Sequence, residues 1–162
     1  MSTIAIIGAM DEEVANIASA LSDITVTEEA GVSVTRGTIE TNKGTRVNVA
    51  ATVGGMGTVN IAATTQHLID ADQPDAVIFS GIAGNMTSKI GIGDVVIGKT
   101  VLYHDAQLDM ICQNPPFLKE YTGDPALIAA AEKACADAGV KALAGKIATG
   151  DMFVGDSATK AG

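Results

Sequence analysis

Three predicted strands, each leading into a glycine-containing loop, constrain the fold of this chain more than any other feature. The strands cover TIAII at 3–7, DAVIFS at 75–80, and residues 142–149. Short apolar runs are typical of parallel strands buried on both faces, and the segments between these runs carry apolar residues at helical spacing. The predicted helices cover about 11–21, about 58–71 and a stretch that begins at Pro125. This alternation favours an α/β fold with a mostly parallel mixed sheet covered by helices on both faces.

A hairpin and a long connection complete the expected order of elements. Alternating residues at 32–40 and 45–53 flank the turn sequence at 41–44, which predicts two antiparallel strands. Residues 93–102 are strand-like, and residues 103–123 predict a long polar connection. Asp124 precedes Pro125 as a helix N-cap, since Asp accepts from the first free N–H groups and Pro suits the first helical position.

The length of 162 residues suits one domain, and we predict a single domain over 1–162. After the last strand the chain reads SATKAG, the start of a further helix with almost no length to bury a face. The sequence therefore predicts a domain that is incomplete at its C-terminus.

Charge and composition exclude several classes of partner. The chain has 10 basic and 19 acidic residues, a net charge of −9. No basic cluster offsets this charge, so neither nucleic acid nor an anionic membrane surface is an expected partner. No apolar stretch approaches the roughly 20 residues that span a bilayer, and a basic leader is absent, which predicts a cytoplasmic protein. Cys112 and Cys135 are too few and too far apart for a zinc site, and no metal or cofactor is predicted.

Three loops at predicted strand ends are candidates for a ligand site. They are GAMDEE at 8–13, SGIAGN at 80–85 and TGDMFVGD at 149–156. In open α/β sheets ligands bind beyond the carboxyl ends of the strands, so we expect these loops to form one pocket. Glu12 and Glu13 have two interpretations: they compensate the helix dipole, or one of them is a general base that takes a proton from water.

The remaining motifs are less specific. GGMG at 54–57 indicates a tight turn into a helix, or a site for a small polar ligand, but not a dinucleotide loop, because Asn60 stands where Gly or Ala is required. His67 is interpreted as structural or solvent-facing. Phe153 either stacks on a flat heterocycle or packs within its own loop. Arg36 and Arg46 both lie on the hairpin, which favours water over phosphate as a second substrate.

Four motifs in order resemble one enzyme family. They are IIGAMDEEV at 6–14, SGIAGN at 80–85, IGDVVIG at 92–98 with YHDA at 103–106, and TGDMFV at 149–154. With these motifs the chain resembles the 5′-methylthioadenosine/S-adenosylhomocysteine nucleosidases of the nucleoside phosphorylase superfamily. The resemblance implies hydrolysis of an N-glycosidic bond that releases adenine, with an adenine nucleoside as the small-molecule partner, no cofactor, and a homodimer.

The resemblance also implies roles for individual residues. Glu13 would activate the attacking water, while Asp11 and Glu12 would favour the helix start. Met10 would lie near the sugar and thio group, and Ala83 and Gly84 along the base and ribose. Phe153 would stack on adenine, and Val154 would bind the adenine edge through its backbone. The resemblance further implies a segment lent to the neighbouring subunit's pocket, with Tyr103, His104 and Asp105.

The chain departs from the family pattern at two places. Ile82 stands where the family often has a small hydroxyl residue. These 162 residues have no counterpart of two family segments. One is the Met-Glu-x-Glu segment, which holds the ribose, and the other is the Ser-Asp pair, whose Asp protonates adenine. The resemblance thus implies a chain with the base but not the acid, which would be inactive or slow. A phosphate-dependent nucleoside phosphorylase and a non-catalytic nucleoside-binding module are the alternatives.

Overall fold

The computed structural model describes residues 1–155 and divides the chain into two compact units. The N-terminal unit is Met1–Ala83 and the C-terminal unit is Gly84–Gly162. Each unit is a sheet with packed helices, which confirms the α/β class. The predicted single domain stays a prediction, and so does the helix start at SATKAG, which lies outside the described residues.

The N-terminal unit contains five strands in one mixed sheet. Its elements are β1 (Thr3–Gly8), α1 (Asp11–Ser19), β2 (Ser22–Glu29), β3 (Val32–Glu40), β4 (Arg46–Val53), α2 (Thr58–Asp72) and β5 (Ala76–Phe79). The strand order is β2-β3-β4-β1-β5, with β1 parallel to both of its neighbours and the other pairs antiparallel. The hairpin of β3 and β4 is therefore confirmed, whereas β2 is an edge strand that the sequence analysis did not predict.

Strand β1 carries the core of this unit on both of its faces. Ala5 and Ile7 are buried on one face in a cluster that includes Leu68 of α2. Ile6 points to the other face and packs against a cluster that includes Val14 of α1. One helix thus covers each face of the sheet, which explains why β1 reads as an uninterrupted apolar run.

The C-terminal unit contains a three-stranded sheet. Its elements are β6 (Val95–Tyr103), α3 (Leu108–Ile111), β7 (Tyr121–Thr122), α4 (Pro125–Asp137) and β8 (Ala142–Thr149). The order is β7-β6-β8, with β6 parallel to β8 and antiparallel to β7. The predicted N-cap is present, because one Asp124 oxygen accepts from the N–H groups of Ala126 and Leu127 at 2.8 and 3.0 Å. The predicted connection over 103–123 holds α3 and β7, which are too short to give a periodic signal.

An ion-pair network joins β2, β3 and α2. The Arg36 guanidinium forms a two-point bond with Asp72, with Nε–Oδ1 2.6 Å and Nη2–Oδ2 2.9 Å. Its Nη1 lies 2.5 Å from Oε1 of Glu29, and His67 Nε2 lies 2.9 Å from the other Glu29 oxygen. His67 is therefore structural, as one interpretation of the sequence had it. The Arg36 hydrogen bond, with smaller contributions from Thr27 and His67, lowers the pKa of Glu29 to about 2.

The lowered pKa of Glu29 predicts how stability depends on pH. A carboxylate with a depressed folded-state pKa stabilises the fold above its ordinary pKa of 4.5, and this contribution is lost as the pH falls toward 2. We expect Glu29→Gln to lower the free energy of unfolding at pH 7, and the difference from the unmodified chain to shrink between pH 4.5 and 2. Urea denaturation at a series of pH values measures this difference. Glu28→Gln, a change at the exposed neighbouring residue, is the control. A difference that stays constant with pH would contradict the prediction.

Candidate functional site

Glu13 connects the loop after β1 to the start of α1. Met10 is the N-cap of α1, and Glu13 is the third helical residue. One oxygen of its carboxylate, Oε2, accepts from the backbone N–H of Ala9 at 2.7 Å and of Met10 at 3.0 Å. A side chain at this helical position often returns to the N-cap N–H, because the first N–H groups of a helix have no partner within it.

The other oxygen of Glu13 binds the loop after β5. Oε1 accepts from the backbone N–H of Ile82 at 2.7 Å. The two loops run side by side before this point, since Ser80 N–H donates to the Ile7 carbonyl at 2.9 Å. The loops at 8–13 and 80–82 therefore meet at one half-buried carboxylate.

The three hydrogen bonds that Glu13 accepts leave one acceptor position of its carboxylate free. An ionised carboxylate offers about four acceptor positions on its two oxygens. Two N–H groups occupy Oε2 and one occupies Oε1, so Oε1 retains a position at which a water molecule can donate. Glu13 is thus a structural link between two loops and can also act as a proton acceptor. Asp11 and Glu12 are exposed in the first turn of α1, where the helix dipole favours acids.

Two glycines allow the close approach of the elements around Glu13. A Cβ at Gly8 would lie 2.6 Å from Val14 Cγ2 and 3.0 Å from the Glu13 Cβ. A Cβ at Gly81 would lie 3.0 Å from Glu13 Oε1 and 3.0 Å from the Phe79 ring. Gly8 therefore requires glycine for space rather than for an unusual backbone angle, and a side chain at Gly81 would fit only tightly.

The remaining predicted contacts of the N-terminal unit lie on these loops. Met10 is half-buried beside Glu13, and Ala83 is exposed at the end of the unit. The Ile82 side chain is 78% exposed, so only its backbone N–H takes part in the Glu13 network. Gly84 is exposed and begins the C-terminal unit. The GGMG segment turns into α2 with positive φ at Gly55 and Gly57, as expected for a tight turn.

In the C-terminal unit, Asp105 holds the loop that follows β8. Its Oδ2 accepts from the backbone N–H of Asp151 at 2.7 Å and of Met152 at 2.9 Å. The N–H of His104 also donates to the carbonyl of Thr149 at 2.9 Å. The Met152 hydrogen bond, with that of Asp151 and the charge of His104, lowers the pKa of Asp105.

The predicted base-binding residues follow directly in this loop. The Phe153 side chain is 91% exposed, and Val154 is half-buried. Tyr103 makes an edge-to-face contact with Tyr121, with ring centroids 6.5 Å apart. His104 is exposed, whereas the Asp105 carboxylate is bonded within its own chain. Because this loop belongs to the C-terminal unit, its predicted place in a pocket with the other two loops stays a prediction.

The described part of the chain has neither a cluster of metal ligands nor a membrane-spanning helix. No group of three or more His, Cys, Asp or Glu side chains within residues 1–155 is arranged to hold a metal ion. None of the helices described in that range is long and apolar enough to cross a bilayer.

Two sets of hydrogen bonds, one in each unit, were not predicted from the sequence. The Ile82 N–H is a backbone group, and no side-chain pattern reports where such a group points. The bonds of Asp105 to the loop after β8 join residues 46 and 47 positions apart in the chain. The only available signal was that YHDA and TGDMFV both stand at the ends of predicted strands.

The close packing at Gly8 predicts the effect of a small substitution. Gly8→Ala would push Val14 and Glu13 away from β1, and overpacking of this kind costs about 1–3 kcal/mol of unfolding free energy. Urea denaturation measures the loss. Gly145→Ala is the matched control, because a Cβ in that strand would lie 3.8 Å from its nearest neighbours, an ordinary contact. Equal stability of the two variants would contradict the prediction.

The chain is similar in sequence to proteins of one enzyme superfamily. The model of the family described as "Phosphorylase superfamily" matches residues 3–161. A 5′-methylthioadenosine/S-adenosylhomocysteine nucleosidase of Shewanella loihica is 36% identical, over 94% of this chain and 66% of that protein. The nucleosidase of Anoxybacillus flavithermus is 37% identical, over 96% of this chain and 67% of that protein. The chain thus spans about two thirds of the length of the curated relatives it matches.

The fold is also similar to that of a solved structure. The crystal structure of the nucleosidase from Colwellia psychrerythraea in complex with adenine matches with a TM-score of 0.87 and 33% identity. The match covers 99% of this chain and 66% of that one.

Proposed function

Because the chain belongs to the phosphorylase superfamily, and within it to the 5′-methylthioadenosine/S-adenosylhomocysteine nucleosidases, we propose that it carries the water-activating and base-binding parts of a cytoplasmic nucleosidase. The proposed reaction is hydrolysis of the N-glycosidic bond of 5′-methylthioadenosine or S-adenosylhomocysteine. Water adds its oxygen to the anomeric carbon, the carbon–nitrogen bond breaks, and adenine leaves with a proton.

The observation that carries this proposal is the arrangement of Glu13. Its carboxylate is fixed by three backbone N–H groups and keeps one acceptor position on Oε1. A water bound there would donate a proton to Glu13 as its oxygen attacks the sugar, which is general base catalysis. Because the carboxylate is already oriented, little reorganisation would be needed during the reaction.

Substrate binding is assigned to the loops around the two fixed carboxylates. We assign Met10 to the sugar and the thio group, and Ala83 and Gly84 to the base and ribose. Phe153 would stack on adenine, since an exposed aromatic ring offers a face to a flat heterocycle. The backbone of Val154 would bind the edge of the same base.

The arginines favour water over phosphate as the second substrate. A phosphate site normally uses a guanidinium fork, and the chain has two arginines, Arg36 and Arg46. Arg36 is bonded to Asp72 and Glu29, and Arg46 to Asp23. Both guanidinium groups are thus paired with carboxylates, which supports hydrolysis rather than phosphorolysis.

Adenine release from methylthioadenosine by the 162-residue chain tests the proposal. We expect slow release that does not depend on phosphate, since the proton-donating Asp of the family has no counterpart in these residues. Glu13→Gln should lower the rate by about 10² or more, because positioned general bases contribute about 10²–10⁴.

Two controls make this result interpretable. Glu12→Gln changes the exposed neighbouring acid and should leave the rate unchanged. Thermal unfolding of Glu13→Gln shows whether the loops remain joined, because the Gln amide would oppose one backbone donor. Phosphate-dependent cleavage would instead identify a phosphorylase. Binding of adenine and methylthioadenosine without any release would limit these 162 residues to nucleoside binding and overturn the catalytic step proposed for them.

We also propose a homodimer in which Tyr103 and His104 of one chain extend toward the pocket of the other. Support comes from apolar side chains exposed just after this segment, such as Met110 at 62% and Phe117 at 63%. Exposed apolar patches of this kind often lie at protein interfaces.

The homodimer predicts a concentration-dependent mass. Sedimentation of the chain should give twice its 16.4 kDa, and Met110→Asp should shift it toward the single-chain mass. Val140→Asp places the same charge at an exposed residue after α4 and should leave the mass unchanged. A single-chain mass at all concentrations would overturn this part of the proposal.

A further inference from the structure

The carboxylate of Asp105 joins the ends of two strands that are far apart in the chain. Asp105 lies two residues after β6, and the loop it binds begins directly after β8. A single oxygen, Oδ2, accepts from two successive backbone N–H groups, those of Asp151 and Met152. Hydrogen bonds to an ionised acceptor are about twice as strong as neutral ones.

Gly150 brings the loop into direct contact with this carboxylate. A Cβ added at residue 150 would overlap both oxygens and the Cγ of Asp105. The backbone of the loop therefore lies against the carboxylate itself, and only glycine leaves the space for it. The loop is therefore held both by the contact at Gly150 and by the two N–H groups that it donates to the Asp105 carboxylate.

These bonds act on the residues immediately before Phe153. A side chain that is 91% exposed makes little packing that could fix its own position. Order in this loop must then come from the backbone, and the bonded N–H of Met152 is the last fixed point before the aromatic ring.

We propose that Asp105 is a positioning residue for the base, which holds residues 150–154 so that the Phe153 ring and the Val154 backbone meet adenine in a fixed orientation. This inference rests on the proposed function. It gives Asp105 a role within its own chain. This role is separate from the one that Tyr103 and His104 are proposed to have toward a second subunit. A loop that holds its binding conformation for only about a tenth of the time raises the apparent Kd about tenfold.

Two measurements on the 162-residue chain test the inference. Hydrogen exchange follows the amides of residues 150–155, and calorimetry gives the Kd for adenine. Asp105→Ala should speed exchange in this loop and raise the Kd for adenine about tenfold. Asp105→Asn keeps an oxygen with two acceptor positions but loses the charge. Its Kd for adenine should therefore lie between those of the unmodified chain and Asp105→Ala.

Asp124→Ala is the matched control, because Asp124 also uses one oxygen to accept from two successive N–H groups in the same unit. It should speed exchange at the start of α4 and leave the Kd for adenine unchanged. An Asp105→Ala chain that binds adenine like the unmodified chain overturns the inference, as does an equal loss of affinity in both alanine variants.

The two proposals fail in different ways. If the unmodified chain does not bind adenine, nucleoside recognition by this chain is wrong. The positioning role of Asp105 would then be overturned together with nucleoside recognition. Faster exchange in Asp105→Ala would in that case show that Asp105 only stabilises the loop. If the unmodified chain binds adenine and Asp105→Ala alters neither exchange nor affinity, the positioning role fails while the proposed function stands.

Discussion

The loops of the N-terminal unit depend on one carboxylate that satisfies three backbone N–H groups. Backbone N–H groups that no strand or helix pairs need another acceptor, and Ala9, Met10 and Ile82 lie in the turns after β1 and β5. Glu13 supplies the acceptor for Ala9, Met10 and Ile82. The same bonds that complete the turns also fix the orientation of the oxygen proposed to act on water, so structure and chemistry share a single side chain.

The C-terminal unit repeats this arrangement with a different residue. Asp105 accepts two successive N–H groups, as Oε2 of Glu13 does, and in both cases a glycine permits the close contact. The difference lies in what each carboxylate keeps available. Glu13 retains an acceptor position for water, whereas Asp105 is proposed to act only through the loop that it holds.

The sequence predicted most of the helices and strands that carry apolar residues at regular spacing. Strand β1, the β3–β4 hairpin and helices α1 and α2 were predicted, because their buried residues impose a spacing on the sequence. Strand β5 and helix α4 were predicted from their apolar residues alone. The expected burial of β5 on both faces is wrong, because β5 is an edge strand with Val77, Ile78 and Phe79 exposed, and α4 has no buried residue. Strand β2 was not predicted, since nearly all of its side chains are exposed and its position follows from pairing with β3. At the site, Glu13 was identified by its residue type and its place after β1. The Ile82 N–H and the bonds of Asp105 could not be, because they depend on how loops distant in the chain approach each other.

The position of β1 between β4 and β5 has a consequence for how the protein folds. Strands β2, β3 and β4 pair with near neighbours, while β1 is bonded to β4 about 45 residues later and to β5 more than 70 residues later. Contacts with large sequence separation form slowly, because the chain loses the entropy of closing a long loop before the contacts stabilise it. During synthesis β1 leaves the ribosome before β5 and must therefore wait for Phe79 before its second ladder can close. The Ile82 N–H reaches Glu13 only after that, so the loop after β1 acquires its final structure later than β2, β3 and β4, which follow it in the chain.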